Sequence, residues 1–207
     1  MATSRPPSKP RKAPVQARSA HTVAAIQQAC IQVLLAQGAA RLTTTRVAER
    51  AGVSVGSLYQ YYPDKRSLLA AVLEKHLLEV VGAVEDACRE YGGRPLDVAV
   101  PALVKAFMDA KFAQPDVSRA LYAVAAELEG HDLVDELTRR GQSAVCQMLA
   151  SMPGVQRADV ITASFVVTTA MIGPVQMLLS VDAPAPFREK VAQELVEMVS
   201  GYLAGPG

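Results

Sequence analysis

Tryptophan is absent from this chain, and aromatic residues are few: four Phe and six Tyr among 207 residues. Half of the residues are nonetheless hydrophobic, dominated by Ala, Val and Leu. That composition excludes an aromatic-rich sheet core and favours helices packed on helices. Cysteine is equally scarce. Cys30, Cys88 and Cys146 are far apart, odd in number and without C-x-x-C spacing, which excludes a disulfide framework and a thiolate metal site. They read as buried free thiols in a reducing cytoplasm. Residues 1–20 are rich in Pro and Arg and lack the apolar core of a signal peptide. One long apolar stretch, Ala158–Val181, is interrupted by Asp159, Thr162, Ser164, Thr168, Thr169, Gln176 and the pair Gly173-Pro174, and it has no basic flanks. It reads as a helix buried against other helices, with no membrane partner expected.

A net charge of +1 conceals an asymmetry. Residues 1–66 hold ten Lys/Arg (Arg5, Lys9, Arg11, Lys12, Arg18, Arg41, Arg46, Arg50, Lys65, Arg66) against Glu49 and Asp64, a balance of +8. The remaining eleven basic residues face eighteen acids, a balance of −7. A basic first third on an acidic body implies a polyanionic partner for the first third alone; on charge alone, a solvated basic tail fits equally well.

Residues 1–17 carry four Pro and no apolar periodicity, the pattern of a disordered basic arm. From Ser19 to Gln37 apolar residues recur at helical spacing, and Gly38 stands where a helix ends. Thr43 and Ser54 are placed to cap two short helices, stopping before Gly52 and running through Tyr61. A long helix is expected over Lys65–Arg89, followed by helices at Leu96–Ala113, Asp116–Glu129, Asp132–Ser151, Ala158–Val181 and Phe187–Leu203. The expectation is an all-α fold of about nine helices without strands. Its domains are the arm (1–17), a head (18–66) and a helical body (67–207). Phe187, Val191, Leu195, Met198/Val199 and Tyr202 form a stripe on the last helix, read as part of a homodimer interface.

The informative segment is Thr43–Lys65, TTTRVAERAGVSVGSLYQYYPDK. Two short helices flank Gly52-Val53-Ser54, the pattern of a helix-turn-helix. Val47, Ala48, Ala51, Val53 and Leu58 would hold the pair together. Val55, Gly56, Ser57, Tyr59, Gln60 and Tyr61 are left on the second helix, a surface of hydroxyls, phenols and an amide without an acid. Such a surface suits a major groove and its phosphate rims. Tyr62 is expected inward, and Tyr59 and Tyr61 outward.

Over Ile26–Lys65 the chain resembles the DNA-binding domain of TetR/AcrR-type bacterial transcription regulators. Ile26, Ala29/Cys30, Leu34 and Gly38 fit its opening pattern. Thr43, Thr44, Val47, Ala48, Ala51, Gly52, Val53, Ser54, Gly56, Ser57, Leu58, Tyr59, Tyr61, Tyr62, Lys65 and Leu68 continue it without a gap. Tyr62 stands where Phe is usual, and Val47 where Ile is common. The resemblance implies roles. Thr43 caps the second helix, and Thr44 lies near phosphate. Thr45 and Arg46 meet bases or phosphates, and Ser54 caps the recognition helix. Val55, Gly56 and Gln60 face base edges, with Gln60 suited to adenine and Val55 to a thymine methyl. Ser57, Tyr59, Tyr61 and Lys65 reach phosphates.

The resemblance further implies a homodimer on a double-stranded, pseudo-palindromic DNA operator, with a body that binds a small apolar effector. Phe112, Tyr122, Met148, Phe165 and Met171 are the candidates to line its pocket, and Ser164, Thr168, Thr169 and Gln176 to orient the ligand. Repressor is the expected role; an activator, or a ligand-free architectural DNA-binding protein of the same fold, is the alternative. No residue set points to catalysis or a cofactor. Gly52–Gly56 spells the G-x-S-x-G of a hydrolase elbow but lacks the preceding strand. His131 with Asp132 and Asp135 reads as an acidic helix start rather than a metal site.

Overall fold

A computed structural model of the chain describes residues 12–128 and 131–205, without the side chains of 12–18, 127, 131 and 132. The described residues form helices only: α1 (Lys12–Arg41), α2 (Thr44–Ala51), α3 (Val55–Tyr59), α4 (Lys65–Tyr91), α5 (Leu96–Phe112), α6 (Pro115–Glu127), α7 (His131–Ser151), α8 (Val160–Ser180) and α9 (Ala185–Ala204). The all-α expectation and most helix limits therefore hold. Lys12–Ala17, expected to belong to the disordered basic arm, are helical and extend α1; the rest of that expectation, residues 1–11, lies outside the described residues. Pro14 falls in the first turn, where a missing N–H costs no helical bond, so it does not stop the helix.

Two compact units divide within α4, at Val72/Leu73, rather than before it at residues 66/67. The reason is packing: Leu68, Leu69 and Val72, in the first two turns of α4, are buried with the first unit's core. That core is built by Ile26, Ala29, Cys30, Val33 and Leu34 of α1, Leu42, Val47 and Ala48, and Leu58 and Tyr62. α1 is broken at Gly38, whose φ of 76° is left-handed and free of penalty only without a Cβ.

In the second unit, α5 packs on α9, α7 on α8, and α8 on α9. The core is a continuous apolar cluster from Val80 and Val84 of α4 to Leu195, Val199 and Leu203 of α9. Three arginines fasten it. Arg119 of α6 donates to the Leu179 carbonyl (2.9 Å) and to Asp182 (2.7 Å) at the end of α8. Arg157 donates to the Tyr202 carbonyl (2.6 Å) and stacks on that ring, closing the end of α9. Arg140 of α7 makes a two-pronged bond to Glu85 of α4 at 2.6 and 2.7 Å.

The stripe on α9 splits, contrary to its reading as one interface. Leu195 and Val199 are buried in the chain's own core, while Phe187 and Met198 are exposed. Helical phase takes Met198 off the i, i+4, i+8 line through Leu195, Val199 and Leu203, whereas Phe187 continues that line into the exposed first turn of α9. Gly173-Pro174 does not break α8, which runs to Ser180. Both α8 and the segment Ser19–Arg41 are long and apolar enough to cross a bilayer by length and composition alone. Each has a buried face within its own unit, on Ile26 and Val33 for α1 and on Val167 and Val175 for α8. Of the cysteines, Cys30 and Cys88 are buried and their thiols pushed up to about 12 by burial, but Cys146 is only half-buried.

Candidate nucleic-acid interface and apolar cavity

The head is assembled by local capping. Thr43 is extended, and its hydroxyl accepts from the Arg46 N–H at 3.3 Å, starting α2. Gly52, at φ 69°, closes α2 by donating to the Ala48 and Glu49 carbonyls. Ser54 then accepts from the Ser57 N–H at 3.0 Å, starting α3, and turns at Tyr61 and Tyr62 donate to the Leu58 carbonyl at 3.0 Å. Asp64 and Ser67 satisfy one another's backbone N–H groups (2.7 and 3.2 Å), a reciprocal cap on α4 that holds the Asp64 carboxyl below its usual range. Ser54 thus follows a helix and caps another, which removes the strand that a nucleophile elbow requires.

With Val47, Ala48 and Leu58 buried between them, α2 and α3 present a common outer surface. Thr43, Thr45, Arg46, Ser54, Gly56, Tyr59 and Gln60 are exposed on it; Thr44, Val55, Ser57, Tyr61 and Lys65 are half-buried. Tyr62 is turned inward, where the Gln27 amide donates to its hydroxyl at 3.1 Å. Several candidate contacts are also held by the head itself. The hydroxyls of Thr44 and Tyr59 are 3.1 Å apart. Arg46 donates to the Arg41 carbonyl at 2.6 Å. The Lys65 ammonium donates to the Ala39 carbonyl at 2.5 Å, closing the chain just after the Gly38 break. Nothing in the sequence pattern signals these supports, nor the bond that Arg50 donates to Gln32 (2.6 Å) between α2 and α1.

In the second unit a cavity of about 120 Å³ lies among α4, α5, α6, α7 and α8. Leu77, Val80, Val81 and Val84 of α4 form one wall. Of the five pocket candidates, Tyr122 and Met171 line it; Phe112, Met148 and Phe165 do not. Phe112 lies under the Arg188 guanidinium, 4.6 Å from ring centre to Cζ, in a surface groove between α5 and α9. Met148 is core. Phe165 is 56% exposed, because the buried line of α8 passes through Ala163, Ser164, Val167 and Met171 and leaves it outside. Of the polar candidates only Thr168 lines the cavity.

Lys111 lines it as well and went unread in the sequence. Its signal was position: it continues the buried line Val100, Leu103/Val104, Phe107 of α5. Its ammonium lies 4.7 Å from the Tyr122 ring centre, and burial pulls it down to about 8. Burial likewise pushes the Tyr122 phenol up to about 12. Beside the cavity, the Ser118 hydroxyl donates to the Lys111 carbonyl at 2.8 Å and lies 3.2 Å from His76 Nε2. Burial, and then the Lys111 charge, lower the His76 imidazole to about 4. Among the described residues no three His, Cys, Asp or Glu side chains are grouped to hold a metal; the side chains of His131 and Asp132 lie outside the described residues.

Comparison with known proteins agrees with this architecture. Residues 26–72 match the family described as bacterial regulatory proteins, tetR family, and residues 95–203 match the tetracyclin repressor-like C-terminal domain. Nucleoid occlusion factor SlmA of Haemophilus ducreyi is 30% identical over 112 residues, covering 52% of this chain and 54% of that protein. The chain thus spans about half the length of that relative. A TetR family transcription regulator from Marinobacter aquaeolei has the same fold (TM-score 0.62, 19% identity, 88% of this chain and 97% of that one). So does FadR from Bacillus subtilis in complex with stearoyl-CoA (TM-score 0.66, 14% identity, 86% and 98%). With both domain families matched in order and the helix-turn-helix formed, the chain belongs to the TetR family of bacterial regulatory proteins and is, at that level, a DNA-binding regulator of transcription.

Proposed function

We propose that the protein is a homodimeric repressor that occupies a pseudo-palindromic operator and is released from it by a small, mainly apolar effector. The observation that carries this reading is the use of one helix by two sites. α4 begins at Lys65 in the DNA-binding unit, and its Leu77, Val80, Val81 and Val84 wall the cavity of the other unit. A ligand that displaces this wall moves α4 and alters the spacing of two heads in a dimer. Successive major grooves on one face of a duplex are a fixed ~34 Å apart, so a respaced dimer loses affinity. A coupling of about 1–3 kcal/mol is the ordinary size of such an effect. On the operator, Val55, Gly56 and Gln60 read bases, while Thr44, Ser57, Tyr59 and Tyr61 meet phosphates, with Thr45 and Arg46 at the groove edge.

Exposed apolar side chains on α8 (Ile161, Phe165, Met177), with Val181 just after it and Met198 on α9, support the dimer. Large apolar side chains left uncovered in number are the usual material of a protein interface. The FadR neighbour bound to stearoyl-CoA favours small-molecule sensing. The protein acts in the cytoplasm, where chromosomal DNA lies. The likeness to a nucleoid occlusion factor favours a second reading, a DNA-binding role in nucleoid occlusion instead of effector-released repression. The two are separated by screening apolar compounds for a rise in melting temperature and titrating the operator with each hit. Stabilising compounds that weaken operator binding support release; stabilising compounds that leave it unchanged refute it.

A further inference from the structure

Lys111 is 5% exposed, and no carboxylate among the described residues lies within ion-pair distance of it. Burial is the cause of its lowered pKa, with no acid opposing the shift. At about 8 that pKa still leaves most of the side chain charged at neutral pH. Its contact with the Tyr122 ring compensates the charge only in part. A buried ammonium without a counter-ion is costly, and proteins retain one where a partner completes it. A second unsatisfied group belongs to the same cavity. Thr168 lines it, and the Thr168 Oγ1 is buried without a hydrogen-bond partner. By contrast, Ser164 and Thr169 on the same helix satisfy their hydroxyls on backbone carbonyls. The remaining lining is almost wholly apolar. The size also limits the ligand: about 120 Å³ is close to the ~150 Å³ of an apolar cavity that takes benzene.

We propose that this cavity binds a compact apolar monocarboxylate, of the size of a single aromatic ring or a short branched chain, with its carboxylate on Lys111 and Thr168 and its apolar body against Val80, Val84, Leu103 and Met171. The carboxylate supplies the missing counter-ion and accepts a hydrogen bond from the unused Thr168 hydroxyl, and charge-assisted hydrogen bonds are the strongest available in such a site. A sugar or a phosphate ester would bring polar groups that the lining leaves unpaired. This inference rests on the effector reading above and names the chemistry of that site.

The test is calorimetric titration of the full-length protein with benzoate and, separately, with toluene, alongside operator titration under the same conditions. Wild-type protein is expected to bind benzoate. Lys111→Met, which keeps an unbranched side chain and removes the charge, is expected to bind benzoate at least tenfold more weakly while toluene affinity changes less than threefold. Thr168→Val, nearly isosteric, is expected to weaken benzoate a few-fold, and it provides the readout if Lys111→Met does not fold. Failure of wild-type protein to bind benzoate, toluene binding without benzoate binding, or benzoate affinity unaltered in both variants overturns the proposal. Benzoate bound through Lys111 with unchanged operator affinity upholds the acid site and refutes effector release. Toluene that binds and releases the operator while benzoate does neither refutes the acid site and upholds release.

Discussion

The hydroxyl of Tyr59 lies 3.1 Å from that of Thr44, joining the last residue of α3 to the first of α2. Either hydroxyl can donate, and each keeps spare capacity for a phosphate oxygen. The bond fixes the orientation of an otherwise 49% exposed phenol. Tyr59→Phe and Thr44→Val are each expected to weaken operator binding, and the double variant to lose less than the sum. The expected coupling is about 0.5–1 kcal/mol. A double-mutant cycle on operator affinity checks it; strictly additive losses would mean the two residues act independently.

Lys65 is tied to the Ala39 carbonyl, which shifts its expected role from phosphate contact to support of the head. Lys65→Ala is expected to destabilise the first unit by roughly 1–2 kcal/mol, the range of a charged hydrogen bond at a half-buried site. The slope of log operator affinity against log salt is expected to change by well under one unit. A slope reduced by about one unit, with melting unchanged, would place the ammonium on a phosphate as the family resemblance implies.

The outer face of α8 is expected to hold the dimer. Phe165→Glu adds a charge to an exposed position, so the chain should fold normally and elute as a monomer. Loss of bivalent engagement is expected to weaken operator binding by about a hundredfold or more. Leu195→Glu, at a core position, is expected instead to unfold the second unit. Light scattering showing an intact dimer for Phe165→Glu would put the interface elsewhere.

His76 makes the second unit sensitive to acid. Its imidazole titrates near 6.5 when unfolded and near 4 when folded, so the unfolded chain binds more protons between those values. Stability is full above about pH 6.5 and falls as pH drops through about 4, by at most about 3 kcal/mol. His76→Gln, which can still pair with Ser118, is expected to flatten the dependence of melting temperature on pH in this window. Parallel curves for the two proteins would remove His76 as the cause.

Elements written in short, local motifs were legible in the sequence. Thr43, Gly52 and Ser54 each act on residues three or four positions away, so caps and turns follow from spacing alone. Elements that depend on the relative phase of several helices were not. Phe112, Met148 and Phe165 have the residue types of a pocket, but the buried lines of their helices carry them away from the cavity. Lys111 lacks the expected type, yet continues the buried line of α5. The α9 stripe was visible as apolar, but only the packing of α9 on α5 and α8 separates core Leu195 from exposed Met198. Continuous apolar sequence tells that surface is covered, not by what.

The central claim, sequence-specific DNA binding by a dimer through α3, is tested most directly by selecting bound duplexes from a random pool with wild-type protein and Gln60→Ala. Gln60 is exposed at the end of α3 and carries the amide suited to paired contacts with adenine. Wild-type protein is expected to enrich an inverted repeat of two half-sites one helical turn apart or a multiple of it. Gln60→Ala is expected to relax preference at one base pair in each half-site and to cost about 1–3 kcal/mol. Enrichment of no common sequence, or of a repeat whose base preferences are unchanged in Gln60→Ala, would contradict the account.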